Sequence, residues 1–194
     1  MTVVFPSDIV PTQMDEPEPV VTGGVLRSEL TGAAQIRASA RMRWRASFTL
    51  PPLQPDEARR VRAALTQARR DTLAIGLPAT ALAGPGTVAG VQVNTAWSGG
   101  SSVSLKGLPS GLTLLTGWFV SILTGGRHYL YQIAADVASG ATTRTVVMTS
   151  VPHAIHAVND PVSFVPTLEG AASWGGGTID AVLSSGAVFT VEQL

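Results

Sequence analysis

The stretch "RMRWRASFTLPPLQPDEARRVRAALTQARR", residues 41–70, decides how this chain is built. From residue 43 to 50 it alternates: Trp44, Ala46, Phe48 and Leu50 fall on one side, Arg43, Arg45, Ser47 and Thr49 on the other. A period of two marks a half-buried strand, because successive side chains leave a pleated backbone by opposite faces. Pro51-Pro52 ends it, since proline has no N–H to give to a ladder. "QPDEARRVRAALTQARR" then predicts a helix ending near Asp71. Pro55 suits the first helical position, and Asp56 and Glu57 suit the positive end of the dipole. Ala58, Val61, Ala64, Leu65 and Ala68 form one apolar stripe. Trp44, Phe48, Leu50, Val61 and Leu65 are therefore the candidate core.

The flanking sequence reads as β-rich. "TLAIGLP" follows the helix as a strand, and short β-like segments come after it: "GVQVNTAW", "SSVSLKGL", "GWFVSIL", "RHYLYQIAADV" and "TTRTVVMTSV". Gly and Ser punctuation at this spacing predicts a small antiparallel barrel or sandwich. Two more candidates, "PVSFVPTLEGAASWG" and "AVLSSGAVFTVEQL", close the chain. The first twenty residues, rich in Pro and acids, read as an extended arm or loop, with "GGVLRSELTG" as a short strand. The expected class is mainly β with one principal α-helix.

The chain has 194 residues, of which 45% are hydrophobic and 13% charged, which excludes a disordered polymer. It has no cysteine, which rules out disulfides and thiolate metal sites. The N-terminus shows no basic region followed by an unbroken apolar run, so no signal peptide is read there. "LTLLTGWFVSIL" is too short to span a membrane, and a soluble chain is expected.

Net charge is zero but segregated. Residues 1–36 carry five acids against Arg27, residues 37–70 nine arginines against Asp56 and Glu57, and the remainder six acids against three bases. Such segregation can pair one subunit with its neighbour, or fold onto itself within one chain. Arg43, Arg45, Arg59, Arg62 and Arg69 are the candidate subunit-contact residues. A nucleic-acid surface is the competing reading, but no zinc finger, helix-turn-helix or RNP-type aromatic pair accompanies the arginines.

Catalytic signals are weak. His153 and His156 form an HxxH near Asp160, yet strand spacing would send the two rings apart, so a solvated loop is expected. There is no G-x-S-x-G elbow or Walker A sequence, the glycines of "GPGTVAG" miss the dinucleotide spacing, and the acids are scattered. No catalytic, cofactor or metal residue is named, and no cofactor is expected. Trp97 and Trp174, beside Gly-rich loops, stay open as ligand-platform candidates.

In this order the segments resemble the distal tail proteins of long-tailed bacteriophages and related gene transfer agents. The resemblance is carried by "RWRASFTLPPLQPDEARRVRAALTQARR", then "DTLAIGLP", "SSVSLKGLPSGLTLLTGWFVSIL" and "RHYLYQIAADVASGATTRTVVMTSV", and covers roughly residues 20–165. It implies a β-sandwich or barrel domain with the helix, formed by residues 1–83 and 158–194. A small barrel similar to the oligosaccharide/oligonucleotide-binding fold would be inserted at residues 84–157. It further implies a homo-oligomer, a hexameric ring in the virion tail, assembled in the bacterial host cytoplasm. Its partners would be the tail tube protein, the hub or tape-measure protein and the receptor-binding proteins, with DNA passing the lumen unbound, no membrane and no catalysis. The alternatives are a stand-alone carbohydrate- or nucleic-acid-binding β module, and an unrecognised hydrolase.

Overall fold

The structure, a computed structural model, describes residues 1–27, 34–77, 84–174 and 188–194, with the side chains of 22–40 outside the description. The expected strand at 23–32 and the final candidate at 181–194 therefore lie partly outside the described residues. Among the described residues the fold is mainly β with one helix. In chain order come β1 (Thr2–Val4), β2 (Gln13–Met14), β3 (Glu18–Arg27), β4 (Ala34–Thr49), α1 (Pro55–Gln67) and β5 (Thr72–Gly76). Then follow β6 (Gln92–Val93), β7 (Ser102–Lys106), β8 (Phe119–Thr124), β9 (Arg127–Gln132), β10 (Arg144–Val147), β11 (Val162–Ser163), β12 (Thr167–Trp174) and β13 (Val188–Gln193).

One large sheet runs β1-β5-β12-β13-β4-β2, with β3 also paired to β4. Among the described strands of this sheet only β1 and β5 run parallel. Period-two burial in β4 places Trp44, Ala46, Phe48 and Leu50 in the core and leaves Arg43 and Arg45 exposed. Helix α1 lies on the Trp44 side of this sheet: Ala58, Val61, Ala64 and Leu65 join Trp44, Phe48, Leu73 and Val191 in one apolar cluster. Its entry is fixed by Pro55 and by Glu57, whose Oε2 accepts the Gln54 backbone N–H at 2.9 Å. The α-helical bonds stop at Gln67, and Arg69 and Arg70 lie in the turn that follows, bonded back to Thr66 and Gln67. The helix is thus one turn shorter than its basic tail suggested.

The N-terminal segment corrects its reading as an arm or loop. β1 pairs with β5, and Val3, Phe5 and Ile9 are buried. Phe5 stacks on Phe189 at 5.4 Å, and Phe189 on Phe48 at 5.3 Å. Three residues before Pro6 are too few to show a period, yet enough to close the sheet edge over the helix.

A second apolar cluster gathers Val91, Val93, Trp97, Leu105, Val120, Ile122, Tyr131, Val146 and Phe164. Around it, β10-β7-β6 and β11-β8-β9 form two three-stranded sheets. Bridges Ile133–Met148 and Gln92–Pro161 join the two sheets at both sides, so the hydrogen-bonded segments close on themselves. Arg144 lies beneath one end of this unit, nearly inaccessible. Its guanidinium donates to the carbonyls of Pro109, Leu112 and Ala138, tying three loop segments together. The β8–β9 hairpin serves both clusters. Phe119 and Leu130 pack into the first, while Val120, Ile122 and Tyr131 pack into the second. Alternation along two strands therefore joins the units without a linker.

Candidate assembly interface

The arginines of residues 41–70 do not form one stripe. Arg43 and Arg45 leave β4 opposite to Trp44, whereas α1 covers the Trp44 face, so the strand and helix arginines lie on different sides of the large sheet. A nucleic-acid groove needs a continuous track of cations. Here the Pro51-Pro52 break carries the chain from one side to the other.

Part of the charge segregation cancels within the chain. Glu18 stands opposite Arg45 in the β3–β4 register, and its Oε1 accepts from Arg45 Nε at 2.8 Å and Nη2 at 2.6 Å. Asp8 takes a two-pronged contact from Arg60 at 3.2 and 2.7 Å, which with the charge of Arg60 holds its carboxyl below the ordinary range. Arg59 pairs with Asp56 one turn earlier at 2.5 Å, and the N-terminal ammonium with Asp71 at 2.9 Å. All of these pairs involve exposed groups and are individually worth little in stability. Of the five candidate contact residues, Arg45 and Arg59 are engaged in this way. Arg43, Arg62 and Arg69 are exposed, and their side chains form no ion pair or hydrogen bond among the described residues. Replacing Arg45 with Glu puts two carboxylates opposite each other, and a chemical melt is expected to register no more than about 1 kcal/mol.

The most chemistry-like cluster lies elsewhere, and corrects the reading of HxxH as a solvated loop. His156 is wholly buried. Its Nδ1 lies 2.6 Å from Thr124 Oγ1 and its Nε2 2.7 Å from the Tyr131 hydroxyl. Asp160 Oδ2 accepts from Thr124 Oγ1 at 2.5 Å and from the Ala157 N–H at 2.8 Å. The single Thr124 hydrogen goes to Asp160, so Thr124 accepts from His156 Nδ1–H. His156 Nε2 is then left to accept from Tyr131 O–H, whose oxygen takes the His153 N–H at 3.1 Å. Each member has its partner, and the neutral ring stacks on Trp97 at 5.5 Å. Burial raises the Tyr131 pKa and pushes that of His156 down to about 4. With Tyr131 and His156 both fully buried, no substrate atom reaches them, and the network locks the second core.

The sign of the resulting pH dependence follows directly. His156 is neutral in both folded and unfolded chains above its ordinary value of 6.5. As pH falls from 6.5 towards 4, the unfolded chain gains a proton that the folded one refuses, and stability drops by roughly 3 kcal/mol. His128 and His153, lowered chiefly by burial, add in the same direction. Urea melts at pH 7.5 and 4.5 check this, and H156Q is expected to flatten the slope in that window. Asp8 and Asp136, held low by their hydrogen bonds, contribute stability above about pH 3.8 that is lost as the pH falls below it.

Glu169 is a second feature hidden among scattered acids. Its side chain is buried on β12, where Oε1 accepts from Thr2 Oγ1 at 2.8 Å and Thr72 Oγ1 at 2.6 Å. Oε2 accepts the His128 N–H at 2.8 Å, and Arg127 Nε stands 3.7 Å from Oε1. One carboxylate thus ties the N-terminal strand and β5 to the start of β9. The tryptophan platform is corrected as well. Trp97 is buried, with Nε1 donating to the Gly100 carbonyl at 3.0 Å, and Trp174 packs half-buried against the first core. Among the described residues no group of three or more His, Asp or Glu is placed to hold a metal ion, and no helix is long and apolar enough to cross a membrane. Compared with protein-family models and with curated proteins, the chain matches none.

Proposed function

We propose that the chain is a structural connector of a phage-like tail tip, a protomer of a ring that joins the tail tube to the hub and receptor-binding apparatus without chemical turnover. The supporting observation is the length of β4. Only Arg45–Thr49 pair with β13, while the ribbon of β3 and β4 continues through Arg27 and Ala34. Between Ala34 and Trp44, β3 is the only strand paired to β4 among the described residues. A two-stranded ribbon is marginal in water and carries open backbone edges, so it gains stability when a neighbour covers it. In this reading the neighbour is another protomer or the tail tube, the ring sits in the virion tail after assembly in the host cytoplasm, and DNA passes its lumen. The closed unit from β6 to β11 takes the role of the inserted barrel similar to the oligosaccharide/oligonucleotide-binding fold, its last strand Val162–Ser163 lying beyond the expected boundary at residue 157.

Negative-stain electron microscopy of the purified chain is expected to show closed rings with a central opening. Uniform particles of single-protomer size would contradict the reading. The double reversal R43E/R45E is expected to reduce the ring fraction while circular dichroism stays unchanged.

A further inference from the structure

Sorting every described charge by whether its partner lies within the chain leaves an uneven remainder. Asp8, Glu18, Asp56, Asp71 and Glu169 are engaged with cations, and Glu57, Asp136 and Asp160 with N–H or O–H donors. The acids left over are Asp15, Glu16 and Glu192. Among the bases, Lys106 bonds Asn159 and Arg144 bonds carbonyls, which leaves Arg43, Arg62, Arg69 and Arg70. Glu192 and Arg43 belong to the same outer region of the sheet, since Glu192 stands opposite Arg45. What remains is three cations on the exposed side and tail of α1, and two anions in the turn between β2 and β3.

Arg69 and Arg70 sit at the opposite end of the large sheet from the Asp15–Glu16 turn. Arg69 and Arg70 immediately precede β5, which carries the edge strand β1, while Asp15 follows β2 at the other edge. Four inter-strand spacings separate β5 from β2, roughly 19 Å at about 4.8 Å each. That is well beyond the screening length of about 8 Å in physiological salt, so the groups do not compensate each other within one molecule. The Asp15 N–H is bonded to the Ser47 carbonyl at 3.0 Å and Pro17 anchors the turn by burial; Arg62 and Arg70 share one exposed face of α1 and its end with Thr66 and Gln67.

We infer that the exposed cationic face of α1 in one copy, with Arg62, Arg69 and Arg70, receives the Asp15–Glu16 turn of the next. Two different patches in mutual contact make a heterologous, head-to-tail interface, the kind that generates a ring when its rotation closes. Complementary charge at the two ends sets both the register and the direction of the addition. This inference rests on the ring-forming reading and names the surfaces that carry it.

The test is sedimentation velocity of the full chain over a concentration series at 50 mM and 500 mM salt. R62E/R69E/R70E and D15K/E16K are each expected to weaken association at least about tenfold at low salt, an effect that the high salt shrinks. The two sets combined in one chain restore association, because the signs are exchanged but complementary. Thermal melts close to the parent, expected for five exposed positions, keep folding out of the comparison. Reversals that leave association unchanged, or a combined variant that fails to recover, overturn this contact while the ring reading stands. A parent chain that never associates at either salt overturns both.

Discussion

Replacing Trp44 with alanine is expected to lower the unfolding free energy by about 3–5 kcal/mol. Trp44 lies in the C-terminal half of β4 with 2% of its surface accessible. Its ring meets Phe119 edge to face, with centroids 4.9 Å apart at 85°. Phe119 belongs to β8, whose other face builds the second core. Truncation therefore opens a cavity where the large sheet meets the hairpin shared by both cores, and neither side collapses into it without disturbing the other. The indole N–H has no acceptor among the described residues, so it contributes no hydrogen bond to lose. Trp44→Phe accordingly removes a buried unpaired donor as well as ring area and is expected to cost less than half as much. Urea titrations of the three proteins decide the matter, and a Trp44→Ala midpoint equal to the parent would refute the packing described for β4.

Gly170→Ala is the second large effect, about 3 kcal/mol or more, and its cause is backbone crowding. Gly170 stands opposite Gln193 in the β12–β13 ladder. A Cβ built on it would lie 1.8 Å from the Glu192 carbonyl oxygen. No rotamer relieves that, because both partners are main chain, and the two central strands must part. The neighbour on β12 is Glu169, whose oxygens take bonds from Thr2, Thr72 and His128 and whose position depends on the strand staying in place. Loss of β12–β13 pairing therefore spreads to the N-terminal strand and to β9. Amide hydrogen exchange is expected to accelerate along β12, β13 and β1 together, and acceleration confined to β12 would contradict the coupling.

Particular residues show what was legible in the sequence. The β4 alternation was, because one face meets a core and the other meets solvent, so polarity tracks burial residue by residue. The α1 stripe was legible for the same reason at period 3.6. The division of the arginines between two sides was implicit too: the Trp44 face and the α1 stripe must meet each other, which forces Arg43 and Arg45 away from the helix. His156 was not legible. Its partners Thr124 and Tyr131 come from a hairpin 25 to 32 residues earlier, and nothing local distinguishes a bonded core histidine from a loop one. Glu169 was hidden likewise, since its donors stand as far away as residue 2. Strand β1 was too short for periodicity to speak. The contact surfaces depend on which charges remain after folding, and those emerge only when Asp8 has taken Arg60 and Glu18 has taken Arg45.

The central claim, that this chain is a ring-forming scaffold, is tested most directly by the mass of the purified protein in solution, measured by native mass spectrometry or sedimentation equilibrium. A closed assembly at an integral multiple of the 20.1 kDa protomer is expected, with six copies as the count. A strict 20.1 kDa monomer that binds oligonucleotides with steep salt dependence would contradict it.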